Sequence, residues 1–271
     1  MAVKVENVFI NGISSDIGFS YAARASNQGC RVFGTFRQLN SSLSTLNLNG
    51  GKLFQNDILE NEGGSQNFTN IIEEINDRID FALIAVGTMA PLGKFHSTKF
   101  SEWKSSFDIN LFGPLDFIHT LLNSSNERPK TVVFLAGGGI GSAPINLSAY
   151  VTAKLALTKV TELLAAEYQD VNFTIIGPGW VKTKIHEETL GSTSLTSKEK
   201  SETKRRILQN DFVPMESVLN CIDWVRNSKQ SLTSGRNFSV VHDIWSSEKL
   251  DAELAADPML FKVRRKENNK K

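Results

Sequence analysis

Short apolar runs alternate along this chain with segments in which apolar residues recur at helical spacing. Short apolar runs bounded by turn residues are typical of buried strands, and a spacing of three to four residues is typical of helices. The runs that we interpret as strands are Glu6–Asn11, Cys30–Phe36, Gly51–Ile58, Ile79–Val86, Thr131–Leu135, Asn172–Ile176 and Ser234–Val241. Helical spacing predicts helices at Phe19–Asn27, about Ser65–Asn76, Phe100–Leu122, Ser148–Tyr168 and Met215–Val225.

This order of elements predicts an α/β fold. Strands that alternate with helices build a Rossmann-type, doubly wound and mostly parallel seven-stranded sheet with helices on both faces. Ile79–Val86 (IDFALIAV) is apolar almost throughout, as expected of a parallel strand that is buried on both faces. Because we find neither an internal repeat nor a linker, we predict that residues 1–271 form a single domain.

Composition narrows the class of protein. The 271 residues are 40% hydrophobic and 22% charged with a net charge of +1, so nothing points to nucleic acid or an anionic membrane as a partner. No apolar run approaches the roughly 20 residues that span a bilayer, and Met1–Gly18 lacks the pattern of a secretion signal. Cys30 and Cys221 form no metal-ligand motif, so we predict reduced thiols, a cytoplasmic location and no metal.

The turn after the first predicted strand is a candidate phosphate site. Strand, glycine turn, helix and strand follow one another from Glu6 to Phe36, which is a βαβ unit. Glycines let the backbone approach a pyrophosphate, and the N-terminus of the helix offers free N–H groups and a positive dipole. An ordinary strand–helix turn is the alternative. The predicted cofactor-binding residues of this turn are Gly12, Ser14, Ser15, Asp16, Ile17 and Gly18.

The end of the second predicted strand indicates which dinucleotide binds. Sites for NAD usually place an acidic residue there to bind the ribose diol, whereas sites for NADP supply an arginine for the 2′-phosphate. Thr35-Phe36-Arg37 offers an arginine and no acid. We therefore favour NADP(H) over NAD(H) as the cofactor, with a solvent-facing Arg37 as the alternative.

Tyr150 and Lys154 are four residues apart in a predicted helix, so both side chains lie on one helix face. A phenol with a pKa of about 10 is a poor acid or base at neutral pH, but a nearby ammonium group favours the phenolate and lowers that pKa. The pair is therefore suited to proton transfer at a hydroxyl or carbonyl oxygen. Taken alone, the spacing fits an exposed lysine beside a half-buried tyrosine better; the glycine turn upstream favours the chemical role.

Several motifs together resemble those of the classical short-chain dehydrogenases/reductases. Besides Tyr150-x-x-x-Lys154, they are the Gly12–Gly18 turn, Asn110-Leu-Phe-Gly, and the sequence PGWVKT at 178–183. The resemblance covers nearly the whole chain. It implies that Tyr150 protonates a nascent alkoxide, that Lys154 lowers the tyrosine pKa and holds the nicotinamide ribose, and that Asn110 orders a relay water. The further cofactor contacts that it implies are Asp57, Ile58, Gly87, Pro178, Gly179, Val181 and Thr183.

The chain departs from this family pattern at two important positions. The family has a serine at the end of the fifth strand that hydrogen-bonds the substrate oxygen, but Ala136-Gly137 stands there and carries no hydroxyl. Ser142, on the following glycine-rich loop, is the candidate substitute. Losing one such donor typically reduces the rate by about 10²–10³. Asp16 replaces the middle glycine of the turn, where it is expected to turn away from the phosphates or to N-cap the helix.

A polar segment at residues 184–212 separates two core segments. We interpret it as a candidate substrate lid, with a mobile surface helix pair as the alternative. The predicted substrate contacts in and near it are Ala136, Gly137, Ser142, Trp180, Ile185, His186 and Leu190. The resemblance also implies a homodimer or homotetramer, formed through the helices that carry Asn110 and Tyr150.

The function hypothesis is reversible, NADP(H)-dependent hydride transfer between a secondary alcohol and a ketone, with Tyr150 as the acid and base. Two alternatives stay open. A non-catalytic dinucleotide-binding protein, acting as a sensor or pseudoenzyme, is favoured by Ala136, Gly137 and Asp16. A lyase or epimerase that uses hydride transfer transiently would retain its cofactor without net redox change. The composition of the lid is compatible with sugars, acyl thioesters and steroids alike as substrates.

Overall fold

Seven parallel strands form the centre of the protein. In a computed structural model that describes residues 5–60, 64–124, 126–198 and 200–264, they are β1 (Asn7–Asn11), β2 (Arg31–Phe36), β3 (Leu53–Gln55), β4 (Phe81–Ile84), β5 (Thr131–Leu135), β6 (Asn172–Gly177) and β7 (Asn237–Ser239). They lie in the order β3-β2-β1-β4-β5-β6-β7, and each neighbouring pair is parallel. The predicted α/β class and seven-stranded Rossmann-type sheet are confirmed. The strand order reverses between β1 and β4, where doubly wound sheets bind their ligands.

Helices cover both faces of this sheet, as predicted. They are α1 (Asp16–Asn27), α2 (Gly64–Ile75), α3 (Phe100–Phe107), α4 (Gly113–Asn123), α5 (Ser148–Glu167), α6 (Ile185–Gly191), α7 (Ser201–Gln209), α8 (Met215–Asn227), α9 (Gln230–Thr233) and α10 (Glu248–Ala256). A π-helical turn at Asp108–Phe112 joins α3 to α4. Within the described ranges, none of the helices combines the length and the apolar character needed to cross a membrane.

The sheet separates two apolar clusters, because alternate residues of a strand point to opposite faces. Val8 and Ile10 of β1 belong to the cluster that includes Val218 of α8. Phe9 belongs to the other cluster, where its ring stacks on Phe117 of α4 with 4.6 Å between the ring centroids. Each residue in the middle of β1 is therefore buried on one face or the other, which explains its uninterrupted apolar sequence.

Four strands, β1, β2, β5 and β6, match the predicted runs to within one residue at each end, and the other three are shorter than their runs. The central strand β4 covers only Phe81–Ile84 of the run Ile79–Val86. β5 has the predicted bounds. β3 covers only Leu53–Gln55 of the run that begins at Gly51, and β7 covers only Asn237–Ser239 of the run that begins at Ser234. Both lie at an edge of the sheet with one neighbouring strand. A strand with a single partner is paired only where that partner runs alongside it, so hydrogen bonding ends before the apolar sequence does.

Candidate active site

The turn between β1 and α1 lies at the carboxyl edge of the sheet, where its glycines leave the backbone uncovered by side chains. Gly12 has φ +87°, and a Cβ there would lie 2.7 Å from Val86 Cγ1 and 2.8 Å from the Val86 nitrogen. A Cβ at Gly18 would lie 2.5 Å from the Gly12 oxygen. Both positions therefore require glycine. The result is a backbone cradle of the kind that accommodates a pyrophosphate, with Ser14 and Ile17 half-buried within it.

Helix α1 begins with a serine cap. Ser15 Oγ accepts the Gly18 N–H at 3.1 Å, so Ser15 is the N-cap and Asp16 is the first helical residue. Of the two expectations for Asp16, turning away or capping the helix, the N-cap role is therefore wrong, because the shorter hydroxyl side chain of Ser15 already takes that donor. The Asp16 carboxylate instead turns to the start of the lid, where Oδ2 accepts the Lys184 N–H at 2.7 Å.

Thr35 fixes the turn between β1 and α1 to β2. Its hydroxyl donates to Asn11 Oδ1 at 2.9 Å and accepts the Gly12 N–H at 3.2 Å. Thr35 and Asn11 are paired residues of β2 and β1, and both are buried. None of the sequence motifs assigns a role to Thr35. The available signal was a polar residue near the carboxyl end of each of two neighbouring, mostly apolar strands.

The residues predicted to hold the adenosine part of a dinucleotide lie after β2 and β3. Arg37 is exposed directly after β2, and its carbonyl oxygen accepts Gln55 Nε2–H at 3.3 Å. Asp57 and Ile58 follow β3. Ile58 packs against the start of α4, where a Cβ at Gly113 would lie 2.7 Å from Ile58 Cδ1. Because β2 and β3 are neighbours, these residues share one edge of the sheet with the phosphate turn.

Lys154 is buried at the carboxyl ends of β4 and β5. It is 4% exposed, and its Nζ donates to the Leu135 oxygen at 3.0 Å. A Cβ at Gly87 would lie 3.1 Å from Asn110 Oδ1 and 3.6 Å from Lys154 Nζ, so these three predicted residues are close together. Burial lowers the pKa of Lys154 to about 8. The amine is therefore still mostly protonated at neutral pH and loses its charge as the pH rises through this value.

Asn110 lies in the π-helical turn and fixes the loop that follows β4. Its Nδ2 donates to the backbone oxygens of Thr88 and Ser106, each at 2.9 Å, and its Oδ1 accepts the Thr88 N–H at 3.2 Å. The Asn110 side chain is thus hydrogen-bonded both to α3, at Ser106, and to the loop after β4, at Thr88. It holds the Gly87 segment next to Lys154, and π-helical turns of this kind are common at functional sites.

The ring of Tyr150 fills the space that a side chain at position 137 would take. A Cβ at Gly137 would lie 2.6 Å from Tyr150 Oη and 2.7 Å from Tyr150 Cζ. Tyr150 itself is buried. Ala136 belongs to the apolar cluster that contains Phe9, whereas Ser142 is exposed on the loop after β5. Of these three predicted substrate contacts, Gly137 is therefore the one that the structure places against Tyr150.

The Pro178-Gly179 turn leads from β6 into the lid. Gly179 has φ +75°, and a Cβ there would lie 2.8 Å from Val213 Cγ2. Val181 forms a bridge with Val213, whose N–H donates to the Trp180 oxygen at 2.7 Å. The residues on either side of the lid are thereby joined, so the lid leaves and re-enters the domain at one place.

The candidate lid at 184–212 contains α6 and α7, and an aromatic stack forms its base. The Trp180 and His186 rings are stacked with 4.3 Å between centroids, and Arg206 Cζ lies 4.7 Å from the Trp180 centroid. His186 Nε2 donates to the Val181 oxygen at 3.0 Å, and burial, the largest influence, lowers the pKa of His186. Two predicted substrate contacts, Trp180 and His186, thus pack on each other. The other predicted residues of this region, Thr183, Ile185 and Leu190, are half-buried.

Known proteins are similar to this chain in sequence. A family model described as "Enoyl-(Acyl carrier protein) reductase" matches residues 12–241. The short chain dehydrogenase adrF of Penicillium roqueforti is 23% identical over 241 residues, which are 84% of this chain and 92% of that protein.

Solved structures agree with the sheet and helices described above. A short chain dehydrogenase/reductase of Saccharomyces cerevisiae matches with a TM-score of 0.73 at 20% identity, covering 90% of this chain and 98% of that chain. A variant of the actinorhodin polyketide ketoreductase with NADPH also matches with a TM-score of 0.73, at 18% identity, covering 89% of this chain and 97% of that chain. At these identities, the similarity shows a common fold.

Proposed function

Because this chain belongs to the short-chain dehydrogenase/reductase family, we propose that it catalyses reversible, NADP(H)-dependent hydride transfer between a secondary alcohol and a ketone. The observation that carries the proposal is the buried group at the carboxyl ends of β4 and β5, in which Lys154 Nζ lies beside Gly87 and Asn110. Tyr150 lies one helical turn before Lys154 on the same helix. The similarity in fold to a ketoreductase with NADPH supports this choice of reaction.

The chain offers residues for each part of a dinucleotide. The cradle between Gly12 and Gly18 would hold the pyrophosphate, because its N–H groups and the helix dipole favour an anion. Asp57 and Ile58 would hold the adenine, and exposed Arg37 would meet a 2′-phosphate, which favours NADP(H) over NAD(H). The backbone at 178–183 would hold the nicotinamide amide. When bound, the nicotinamide supplies or accepts the hydride.

Tyr150 and Lys154 would then move the proton. In the reduction, Tyr150 Oη donates its proton to the substrate oxygen as that oxygen gains negative charge. The positive charge of Lys154, held in the same low-dielectric surroundings, favours the phenolate that results. Asn110 acts as a positioning residue, since its amide holds the loop that contains Gly87.

The missing serine leaves two possibilities for the rate of this chemistry. Gly137 places no hydroxyl against Tyr150, and Ser142 lies on an exposed loop. We propose either a slow reductase, about 10²–10³ below an enzyme with that donor, or one in which Ser142 supplies the hydrogen bond. Ser142→Ala separates these cases, because it reduces the rate only in the second.

A non-catalytic dinucleotide-binding protein is the second candidate function. It is favoured by the position of the Tyr150 ring, which occupies the space of the residue that would otherwise help to bind the substrate oxygen. Asp16 also favours it, because a carboxylate stands in a phosphate turn. Such a protein would act as a sensor or as the inactive partner of an active homologue.

We further propose that the protein forms a homodimer or homotetramer. Phe100, Phe112, Leu155 and Leu163 are large apolar residues left exposed on α3, the π-helical turn and α5. A second copy of the chain that packs the same helices against them would bury this surface. The cysteines Cys30 and Cys221 are buried free thiols, which supports a reducing compartment such as the cytoplasm.

The test is NADPH oxidation across a panel of ketones, repeated with NADH and with Arg37→Ala. We expect turnover with NADPH, a weaker reaction with NADH, and a loss of the preference for NADPH in Arg37→Ala. The formation of the secondary alcohol is confirmed by mass spectrometry. NADPH binding without turnover on any ketone would favour the non-catalytic function, and a product formed without net NADPH oxidation would favour a lyase or epimerase.

A further inference from the structure

A hydrogen bond joins the phosphate turn to the lid. Asp16 Oδ2 accepts the backbone N–H of Lys184 at 2.7 Å, although the two residues are 168 positions apart in the chain. Asp16 is the first residue of α1, and Lys184 directly precedes α6, the first helix of the lid. The bond therefore connects the element that would hold the pyrophosphate with the element that would cover the substrate.

The Asp16 bond differs from the other contacts at the base of the lid. The bridge between Val181 and Val213 joins the two sides of the lid to each other. The stack of Trp180 on His186 lies within the lid and its entry turn. Asp16, in contrast, belongs to the first βαβ unit, so its bond fixes where the lid begins relative to the phosphate cradle.

The charge of Asp16 has a second consequence. A carboxylate in the first turn of a helix is stabilised by the helix dipole, which accounts for its presence there. The same position in the turn would lie near the pyrophosphate, and two negative charges a few ångströms apart repel each other even in a solvated site. Asp16 thus competes for the favourable potential that a helix N-terminus offers to a phosphate.

We propose that Asp16 is a positioning residue for the lid that also lowers the affinity for the cofactor. Its carboxylate oxygen holds the Lys184 N–H and so orders the entry to α6, and its negative charge opposes binding of the pyrophosphate. The second half rests on the proposed function, since it requires a dinucleotide in the cradle. The first half concerns the protein alone and stands or falls without a cofactor.

Two substitutions at position 16 separate the hydrogen bond from the charge. Asp16→Asn retains an oxygen that can accept the Lys184 N–H and removes the negative charge. Asp16→Ala removes both. Ser15→Ala is the matched control, because it removes the N-cap bond to Gly18 while leaving the Asp16 carboxylate in place.

The first measurement is hydrogen–deuterium exchange of the Lys184 amide, followed on peptides that span 182–190, without cofactor. We expect exchange roughly tenfold faster in Asp16→Ala, as for the loss of one hydrogen bond to a charged group. Asp16→Asn should remain close to the wild type, and Ser15→Ala should change exchange in α1 more than at Lys184. Circular dichroism of each variant confirms that the fold is retained.

The second measurement is NADPH binding, followed by the fluorescence of the bound nicotinamide. We expect Asp16→Asn to bind NADPH roughly five- to tenfold more tightly than the wild type at low salt, because a like charge has been removed. Added salt should reduce this difference, since it screens the repulsion. A purely structural role for Asp16 would not produce a salt-dependent gain in affinity.

The role of Asp16 in positioning the lid and its effect on cofactor affinity can be refuted independently. Wild-type exchange at Lys184 in Asp16→Ala, or an equal increase in Ser15→Ala, would overturn the role in positioning the lid. Unchanged NADPH affinity in Asp16→Asn would overturn the effect of the charge. If no variant bound NADPH while exchange at Lys184 followed the expected pattern, the proposed function would be refuted and the lid role of Asp16 would be supported.

Discussion

At the phosphate turn a Cβ on Gly12 would meet the backbone of Val86, whereas at the end of β5 a Cβ on Gly137 would meet the ring of Tyr150. The first glycine leaves its space empty so that backbone can approach backbone, as such turns require. The second leaves space that another side chain of the same site has filled. A missing side chain thus permits close backbone packing at Gly12 and the packing of the Tyr150 ring at Gly137.

The largest effect is expected from Gly12→Ala. The new Cβ would lie 2.7 Å from Val86 Cγ1 and 2.8 Å from the Val86 nitrogen at φ +87°, so the turn must deform and NADPH binding should be lost. Gly29→Ala is the control, because it has φ +85° and nothing within 4 Å of the new Cβ. We expect Gly29→Ala to lower the free energy of unfolding by about 1–2 kcal/mol and to leave binding intact.

Denaturant unfolding and NADPH titration of both variants check this prediction. Equal losses of stability, together with retained NADPH binding in Gly12→Ala, would show that the contact with Val86 is not what makes this glycine necessary.

The next largest effect is expected from Gly137→Ser, which restores the hydroxyl of the family. Its Cβ would lie 2.6 Å from Tyr150 Oη, so the tyrosine must move, and a misplacement of about 1 Å can reduce the rate by about 10². We expect kcat to fall while NADPH binding is unchanged. Gly138→Ser is the control, because a Cβ there has nothing within 4 Å. A gain in kcat from Gly137→Ser would contradict the packing of Tyr150 on Gly137.

A smaller effect is expected from pH. The pKa of Lys154 is lowered to about 8 by burial, so the ammonium that supports the phenolate is present below pH 8 and is lost as the pH rises through this value. In the direction of alcohol oxidation, kcat/KM should therefore decline above about pH 8, approaching tenfold per pH unit. Lys154→Arg stays charged, and its profile should lack this decline even though its rate is lower.

Because Tyr150 and Lys154 interact, the apparent pKa values in the pH profile of kcat/KM belong to both residues together. A wild-type kcat/KM that keeps rising to pH 10 would show that the charge of Lys154 is not required.

The smallest effect is expected at the base of the lid. Arg206→Gln removes the guanidinium that lies 4.7 Å from the Trp180 centroid, which should lower the free energy of unfolding by about 0.5–1 kcal/mol. The pKa of His186 should rise, because the charge of Arg206 contributes to keeping it low. Arg205→Gln is the control, since both arginines donate to Glu202. Thermal unfolding and NMR titration of His186 measure both effects, and identical results for the two variants would contradict them.

The sheet and the glycine turn between β1 and α1 are predicted well from the sequence because both depend on local patterns. β5 and the start of α5 follow directly from apolar runs and helical spacing. β3, β4 and β7 are shorter than their runs, since apolar sequence records burial and not the length over which a strand is paired. Apolar runs and helical spacing therefore predict that a strand or helix exists better than they predict where it ends.

The parts of the site that the sequence did not predict are contacts between distant residues. The bond from Asp16 to Lys184, the stack of Trp180 on His186 and the packing of Tyr150 on Gly137 each depend on how separate elements meet. The spacing of residues along the chain holds no information about these tertiary contacts. The N-cap illustrates the same limit locally, because Ser15 and Asp16 are both good capping residues and only the backbone geometry selects Ser15.

The role of Tyr150 as the proton donor in hydride transfer is tested directly by one comparison: kcat/KM for ketone reduction by the wild type and by Tyr150→Phe, with NADPH binding measured on both. Phenylalanine keeps the ring against Gly137 and removes only the hydroxyl. We predict unchanged NADPH affinity and a loss of about 10²–10⁴ in kcat/KM. Full turnover by Tyr150→Phe would contradict the account.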